Sequence, residues 1–301
     1  DLTEEPNRLQ VSERNNPFVL PFDLSYRIGE EGDRILSLAT AADQLSETRY
    51  GAFPLYVFTD KGVWTLENGT GETLYANIVP VNHDRITNPS TATGRNIVYY
   101  VTSRGVHALK GRYAERISGA LPLDAETTGC LDGATLFYLH RRAELLLFHP
   151  SRAYAYTYSA EYGYWATRDM EGRLLNNGLL LTSAGLRQPE QEQPDGPVEC
   201  LYRTRPLKFG TTELKRIETV VARLQSEDCF VHLILEGSND CRRWTILRDE
   251  WHNTQATDMR LRRTPSSHKY FRILLHLTAN DPLALTGLDV EYYPRFRGKL
   301  R

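Results

Sequence analysis

Methionine and cysteine are both scarce in this chain, with 2 and 4 among 301 residues. Cys130, Cys200, Cys229 and Cys241 form no C-x-x-C pair, and no histidine stands at zinc-knuckle spacing, so we expect thiols and no metal site. Cys229 and Cys241 flank a predicted hairpin, where small buried hydrophobes are common. No apolar run approaches the roughly 20 residues that a membrane helix needs, and no charged-then-apolar leader opens the chain; membrane contact is not expected. The chain also lacks an excess of either charge. A formal net charge of −2 leaves no overall electrostatic footprint for nucleic acid, so any such contact must be local. Arg295, Arg297, Lys299 and Arg301 read as a solvated basic tail. Absent too are a Gly-rich phosphate loop, a G-x-S-x-G elbow and an H-E-x-x-H helix. We therefore assign no catalytic residue, cofactor or metal ligand. His232 and His276 alternate with apolar neighbours and read as satisfied positions on a sheet.

What is abundant is β grammar. The 17 tyrosines favour strands and exposed faces over helix bundles. Leu55 to Leu66, LYVFTDKGVWTL, is an apolar run, a tight turn at Thr59-Asp-Lys-Gly62 and a returning run: a hairpin whose glycine is expected to take up positive φ. It recurs as Ile97 to Val101, Thr102-Ser-Arg-Gly105 and Val106 to Leu109. A third copy runs Leu136 to Leu139, His140-Arg-Arg-Ala143 and Glu144 to Leu147, without the glycine. A fourth has Leu179 to Leu181, Thr182-Ser-Ala-Gly185 and Leu186. The turns are spaced 43, about 38 and about 42 residues apart, the period of a four-stranded propeller blade. Tyr154 to Tyr158 and Tyr164-Trp165, aromatics either side of a glycine turn, describe the outer hairpin of a blade. Four unrelated hairpins in a sandwich are the alternative reading.

The expected class is all-β in two domains, with almost no helix. Residues 1–30, broken by Asn15-Asn16-Pro17 and Pro21, form an extended arm. Residues 31–190 hold the propeller-like repeats. The stretch from Gln188 to Pro197, QPEQEQPDGP, has no apolar residue and reads as a linker. Residues 198–301 form an antiparallel jelly-roll sandwich, with strands at 214–224, 230–235, 243–247, 258–262, 270–277 and 288–292. Trp244 and Ile246 should face inward together, with Tyr270 or Phe271 and Ile273 lining the same interior. The sequence opens at Asp1 without Met, so we expect a processed form or a piece of a longer polypeptide, and with it a blade set that is incomplete here.

Glu236-Gly-Ser-Asn-Asp240, Trp244-Thr-Ile-Leu and Lys269-Tyr-Phe-Arg-Ile resemble the discoidin-like, galactose-binding-like sandwich over residues 205 to 293, with Cys241 where a second glycine is usual. Phe53 to Trp64, Asn77-Ile-Val-Pro80, Thr87-Asn-Pro89, Thr102-Ser-Arg-Gly105 and the ending from Pro294 resemble tailed-bacteriophage virion proteins of the head-to-tail connector or tail-hub kind, including packaged-DNA stabilisation proteins. That resemblance implies a virion or prophage building block, located in the particle or in the cytoplasm of a host carrying a prophage.

Three functions follow as expectations. The first is a non-enzymatic structural subunit acting through protein–protein interfaces, with other virion or tail proteins and further copies of itself as partners. Its interface would lie at one rim of the repeats, at Asp60, Lys61, Arg104 and Arg141. The second is a glycan- or surface-binding module with a pocket formed by Asn239, Asp240, Arg242 and Trp251-His252. The third is a propeller glycoside hydrolase, for which Asp60, Asp84 and Glu161 are the nearest acids.

Overall fold

The computed structural model describes residues 5–295 apart from 14, 42–53, 70–74, 122–130, 171, 176–178, 184, 190–196, 226–228, 255–257, 263 and 281–282. Cys130, the turn residue Ala184, most of the expected linker and the basic residues beyond Arg295 lie outside it. The fold is all-β. Helix is confined, among the described residues, to 3-10 turns at Phe22–Leu24 and Ser118–Ala120 and to residues 131–132. The chain divides into two compact units, Asp1–Glu192 and Gln193–Arg301.

In the first unit each repeat is an antiparallel meander. β3 (Ile35–Thr40), β4 (Leu55–Thr59), β5 (Gly62–Asn68) and β6 (Tyr75–Asn82) form the first sheet in chain order. β7 (Ile86–Gly94), β8 (Ile97–Thr102), β9 (Gly105–Lys110) and β10 (Tyr113–Arg116) form the second. The third holds β11 (Thr135–Leu139), β12 (Glu144–Phe148), β13 (Tyr154–Ser159) and β14 (Trp165–Asp169). A smaller fourth sheet is β15 (Arg173–Leu174), β16 (Leu180–Thr182) and β17 (Gly185–Arg187). In sheets one, two and four the recurring turn joins the second and third strands. In sheet three it joins the first and second, so the shorter spacing of that copy conceals a shift of one strand. The aromatic hairpin is β13–β14, at the far side of its sheet as expected, with Tyr158 and Trp165 paired across it and their rings 5.2 Å apart.

The apolar runs are continuous, not alternating, because both faces of these strands are covered. On β8, Val98 and Tyr100 pack with Tyr56, Phe58 and Val63 of sheet one, while Tyr99 and Val101 pack with Leu136, Tyr138, Leu145 and Leu147 of sheet three. On β12, Leu145 and Leu147 face sheet two, whereas Leu146 and Phe148 join Leu174 and Leu180 of sheet four. The sheets therefore stack like successive blades. One end of the stack is closed by residues expected to be an extended arm. β1 (Arg8–Gln10) and β2 (Ser25–Arg27) pair antiparallel, and Leu9, Tyr26 and Ile28 cover Val57 and Leu66 of sheet one. The segment is ordered there because the outward face of β4 would otherwise be bare. At the opposite end Leu181 and Leu186 are cross-strand partners, 44% and 61% exposed.

The turns differ in how they reverse. Thr59, Thr102 and Thr182 each donate a hydroxyl hydrogen bond to the carbonyl three residues on. Gly105 and Gly185 then take φ of 126° and 117°, and Ala143 manages 53° in the glycine-free copy. Gly62 does not take up positive φ, and glycine is needed there because a Cβ would strike the Asn82 carbonyl.

The second unit is a sandwich of two antiparallel sheets. One is ordered β18 (Val198–Arg203), β23 (Tyr270–Ala279), β20 (Cys229–Ser238), β21 (Thr245–Thr254); the other is β22 (Asp258–Arg262), β19 (Lys215–Gln225), β24 (Ala284–Pro294). The strand β18 is an addition to the expected set. Val231, Leu233, Leu235, Phe271, Ile273 and Leu275 alternate inward against Ile217, Val220, Ala222 and Leu261. Phe271 and Ile273 thus line the interior as expected. Trp244 does not: it is half-buried under the Arg272 guanidinium, 4.3 Å from its ring centre, and Ile246 is exposed. A bulge between Leu235 and Glu236 shifts the register of β21, so Leu247 supplies the core residue instead. Lys215 is wholly buried, and its ammonium donates to the Thr211 and Glu213 carbonyls at 2.7 and 2.9 Å. Cys200 and Cys241 are exposed thiols and Cys229 is a buried one.

Stacking predicts a mutational signature. Leu145→Ala and Leu146→Ala, adjacent in sequence and buried on opposite faces, should each cost about 2–5 kcal/mol. Denaturant unfolding measures both; a near-neutral value for either would mean that one face of β12 is solvated.

Candidate functional site

The four rim residues sit in the recurring turns, and Asp60, Lys61 and Arg104 are engaged with the entry segments of their own sheets. Lys61 pairs at 2.6 Å with Asp33, which is almost completely buried, and an Asp60 carboxylate oxygen accepts the Arg34 N–H at 2.9 Å. Arg104 pairs with Asp84 at 3.2 Å. The arrangement repeats: Asp33-Arg34-Ile35 and Asp84-Arg85-Ile86 each lead into the first strand of a sheet. The Arg34 and Arg85 carbonyls accept from Asp60 and Ser103. This second repeat, Asp-Arg-Ile, was legible in the sequence but is outweighed there by the hairpins. It makes the rim cations latches between a sheet's entry and its central turn. Burial pushes the Asp33 carboxyl up, yet the bonds from Lys61 and the Glu30 N–H outweigh it and hold the group below its usual range.

Behind the second latch lies a polar network. His107 is buried, stacked on Tyr100 with ring centres 5.3 Å apart, 3.6 Å from Asp84 and 3.4 Å from the Thr102 hydroxyl. Asn82 donates to the Tyr100 hydroxyl at 2.9 Å. Burial lowers the His107 pKa against the opposing pull of the Gly105 carbonyl and Asp84. Of the acids considered for hydrolysis, Asp60 and Asp84 are bonded within the rim as described, and Glu161 stands in the turn between β13 and β14. A cleft of about 390 Å³ opens between β7 and β11, and its described lining, including Ser90, Thr93, Thr135, Tyr138 and His140, contains no carboxylate.

The loop proposed to bind a ligand is occupied by its own turn. Asp240 accepts from the N–H groups of Arg242 and Arg243, both at 2.9 Å, and these bonds depress its pKa. Ser238 accepts from Cys241, and Asn239 from the Lys269 N–H. Cys241 itself takes φ of 59°, where the resembling fold has glycine. Trp251 does not join this loop. It lies six residues along β21 from Thr245, about 20 Å at strand rise. There its ring stacks at 3.6 Å on His232, which contacts Asp249 at 2.7 Å, with Phe230 on the other flank. These residues, with Ile234, Leu274 and Leu201, form the solvent-facing side of the β18–β23–β20–β21 sheet.

Sequence reasoning passed over a further feature. Between β1 and β2 the segment Phe18-Val-Leu-Pro-Phe22 presents Phe18 at 93% and Phe22 at 80% exposure, with Val19 and Leu20 also exposed. Its signal was visible as a wholly apolar loop, but the two prolines and Asn15-Asn16 drew attention to chain breaking instead.

No family model matches the sequence, and no curated protein matches it. Among solved structures, one described as a glycoside hydrolase aligns with 95% of this chain at 9% identity and a TM-score of 0.19. The alignment spans 65% of that chain's length. Such a score bears on neither fold nor activity. No helix among the described residues is long and apolar enough to cross a membrane, and no described cluster of His, Cys, Asp or Glu has the makings of a metal site.

Two outcomes are expected. Reversing Asp60 and Lys61 together should lower the melting temperature, because Asp33 is left buried without its cation and the Arg34 N–H without its acceptor; an unchanged temperature would contradict the latch. His107, held neutral by burial, favours the folded state above the unfolded imidazole's value of about 6.5, and that contribution is lost as pH falls below it. His268, lowered by burial, has the same sign. Thermal melts should therefore show stability falling from about pH 7 to pH 5, with a shallower slope in His107→Gln. An identical slope would remove His107 from the account.

Proposed function

We propose that this chain is a non-enzymatic structural subunit that works through protein–protein interfaces, as a building block of a phage or prophage particle. The observation that carries the interface reading is the Phe18 to Phe22 loop, whose large apolar side chains stand in water at the tip of an ordered hairpin. A soluble surface rarely keeps such a cluster unless a partner covers it. The exposed aromatic and aliphatic side chains of the second unit's sheet support the same reading. The virion context rests on the sequence resemblance alone, with other virion or tail proteins as partners and the particle or host cytoplasm as location. The rim serves stability on this reading, and the apolar features serve contact.

Glycan binding remains the second reading because Trp251 is exposed and flanked by hydrogen-bonding His232 and Asp249. The two separate experimentally. Phe18→Asp/Phe22→Asp should abolish co-sedimentation with neighbouring virion proteins while leaving the melting temperature unchanged, since both side chains are solvated already. Undiminished association in that variant would overturn the loop's role. Saturable binding to a glycan array, lost in Trp251→Ala, would move the assignment to the second reading.

A further inference from the structure

Strand β18 is a sheet edge that is unpaired on one side among the described residues. It pairs with β23 on one side, and among the described residues no strand pairs on the other. Sheet edges are ordinarily blunted by proline, lysine, a bulge or a covering segment. Val198-Glu-Cys-Leu-Tyr-Arg203 contains neither proline nor lysine, and its register with β23 runs without a shift. Both faces are open: Glu199 to Arg203 are all exposed, Leu201 at 71%.

Thr204 continues the register opposite Ile273 and donates its N–H to that residue's carbonyl at 3.0 Å. Since these groups alternate along an antiparallel strand, Cys200 and Tyr202 also point to β23, while Glu199, Leu201 and Arg203 present N–H and C=O to the free side.

We infer that a second copy of this chain pairs antiparallel along this edge, about a two-fold axis at Leu201. In that register Leu201 faces Leu201 of the other copy, and Glu199 and Arg203 face each other reciprocally, on one face of the joined sheet. Cys200 and Tyr202 face each other on the opposite face. Parallel in-register pairing would instead set Glu199 against Glu199 and Arg203 against Arg203, which repel. The antiparallel centre at Cys200 pairs neither charge with its opposite, and the centre at Tyr202 sets Arg203 against Leu201 and places Glu199 opposite Arg205, beyond the strand. The strand is thus self-complementary in one register, as a two-fold interface requires. Two four-stranded sheets become one continuous eight-stranded sheet, extending the solvent-facing surface that carries Trp251. This deepens the assembly reading by naming one partner and its place.

The test uses the full chain. Sedimentation of the wild type should give a dimer, and Leu201→Lys should shift it to the monomer while its far-ultraviolet circular dichroism stays that of the folded wild type. Glu199→Arg should weaken the dimer, and Glu199→Arg/Arg203→Glu should restore it. Hydrogen-bonded antiparallel partners have Cα atoms about 5.5 Å apart, within disulfide range. Mild oxidation of Cys200→Ser/Leu201→Cys should therefore give a 201–201 linked dimer, absent from Cys200→Ser alone. A wild type that stays monomeric, or a dimer indifferent to Leu201→Lys and the single charge reversal, overturns the pairing. If virion proteins still co-sediment in either case, the assembly reading stands without it. A Leu201-dependent dimer that captures no virion protein keeps the pairing and removes that reading.

Discussion

The first unit depends on one constraint: the central strands of its sheets must be covered on both faces. β4, β8 and β12 carry large apolar side chains at successive positions, so a sheet standing alone would leave half of them in water. Covering each such side chain contributes about 1.5–3 kcal/mol, so a bare face favours the docking of one more sheet. Stacking is the remedy, and it passes the same problem to the next sheet. The N-terminal hairpin ends the series on one side by laying Leu9, Tyr26 and Ile28 on the first sheet. At the other side Leu181 and Leu186 remain exposed, and the described residues contain no closed ring.

The same constraint explains what the sequence made legible. Runs such as LYVF, IVYYV and LLLF announce buried strands, and Thr-x-x-Gly announces their turns, so the all-β class and the repeat were readable without coordinates. Side-chain direction was readable only where no bulge intervened. Phe271 and Ile273 alternate inward along an unbroken ladder, whereas the bulge at Leu235–Glu236 turned Trp244 and Ile246 outward and put Leu247 in the core. No local residue pattern marks that bulge. β18 escaped notice because neither of its faces is buried, so it has no hydrophobic alternation to read.

The candidate interface residues were harder still, because charge at a turn has two uses that look alike in sequence. Asp60, Lys61 and Arg104 were expected to meet a partner, yet each meets a backbone or carboxylate group of its own sheet's entry segment. Distinguishing the uses requires the Asp-Arg-Ile segments, which lie 26 to 28 and 18 to 20 residues from the groups they bind. Asp240 shows the same ambiguity, its carboxylate capping two N–H groups of the turn it occupies.

Assigning the charges to internal latches changes where intermolecular contact has to be sought. A rim whose ions are paired gains little from pairing again, since a second partner must displace the first and both lose hydration. Exposed apolar side chains have no such competitor: they gain by leaving water whichever surface covers them. Direction and register must then come from elsewhere, because apolar contact alone is not directional. A sheet edge supplies both through its alternating backbone groups, and opposite charges at either end of β18 select one register among the alternatives. In this chain the unspent apolar surface and the unspent hydrogen-bonding edge occur in different units, the first between β1 and β2 and the second along β18. The loop accepts any apolar surface, whereas the edge is self-complementary and suits a like partner. On the proposed reading the two surfaces do not compete, because the loop and the edge belong to different units.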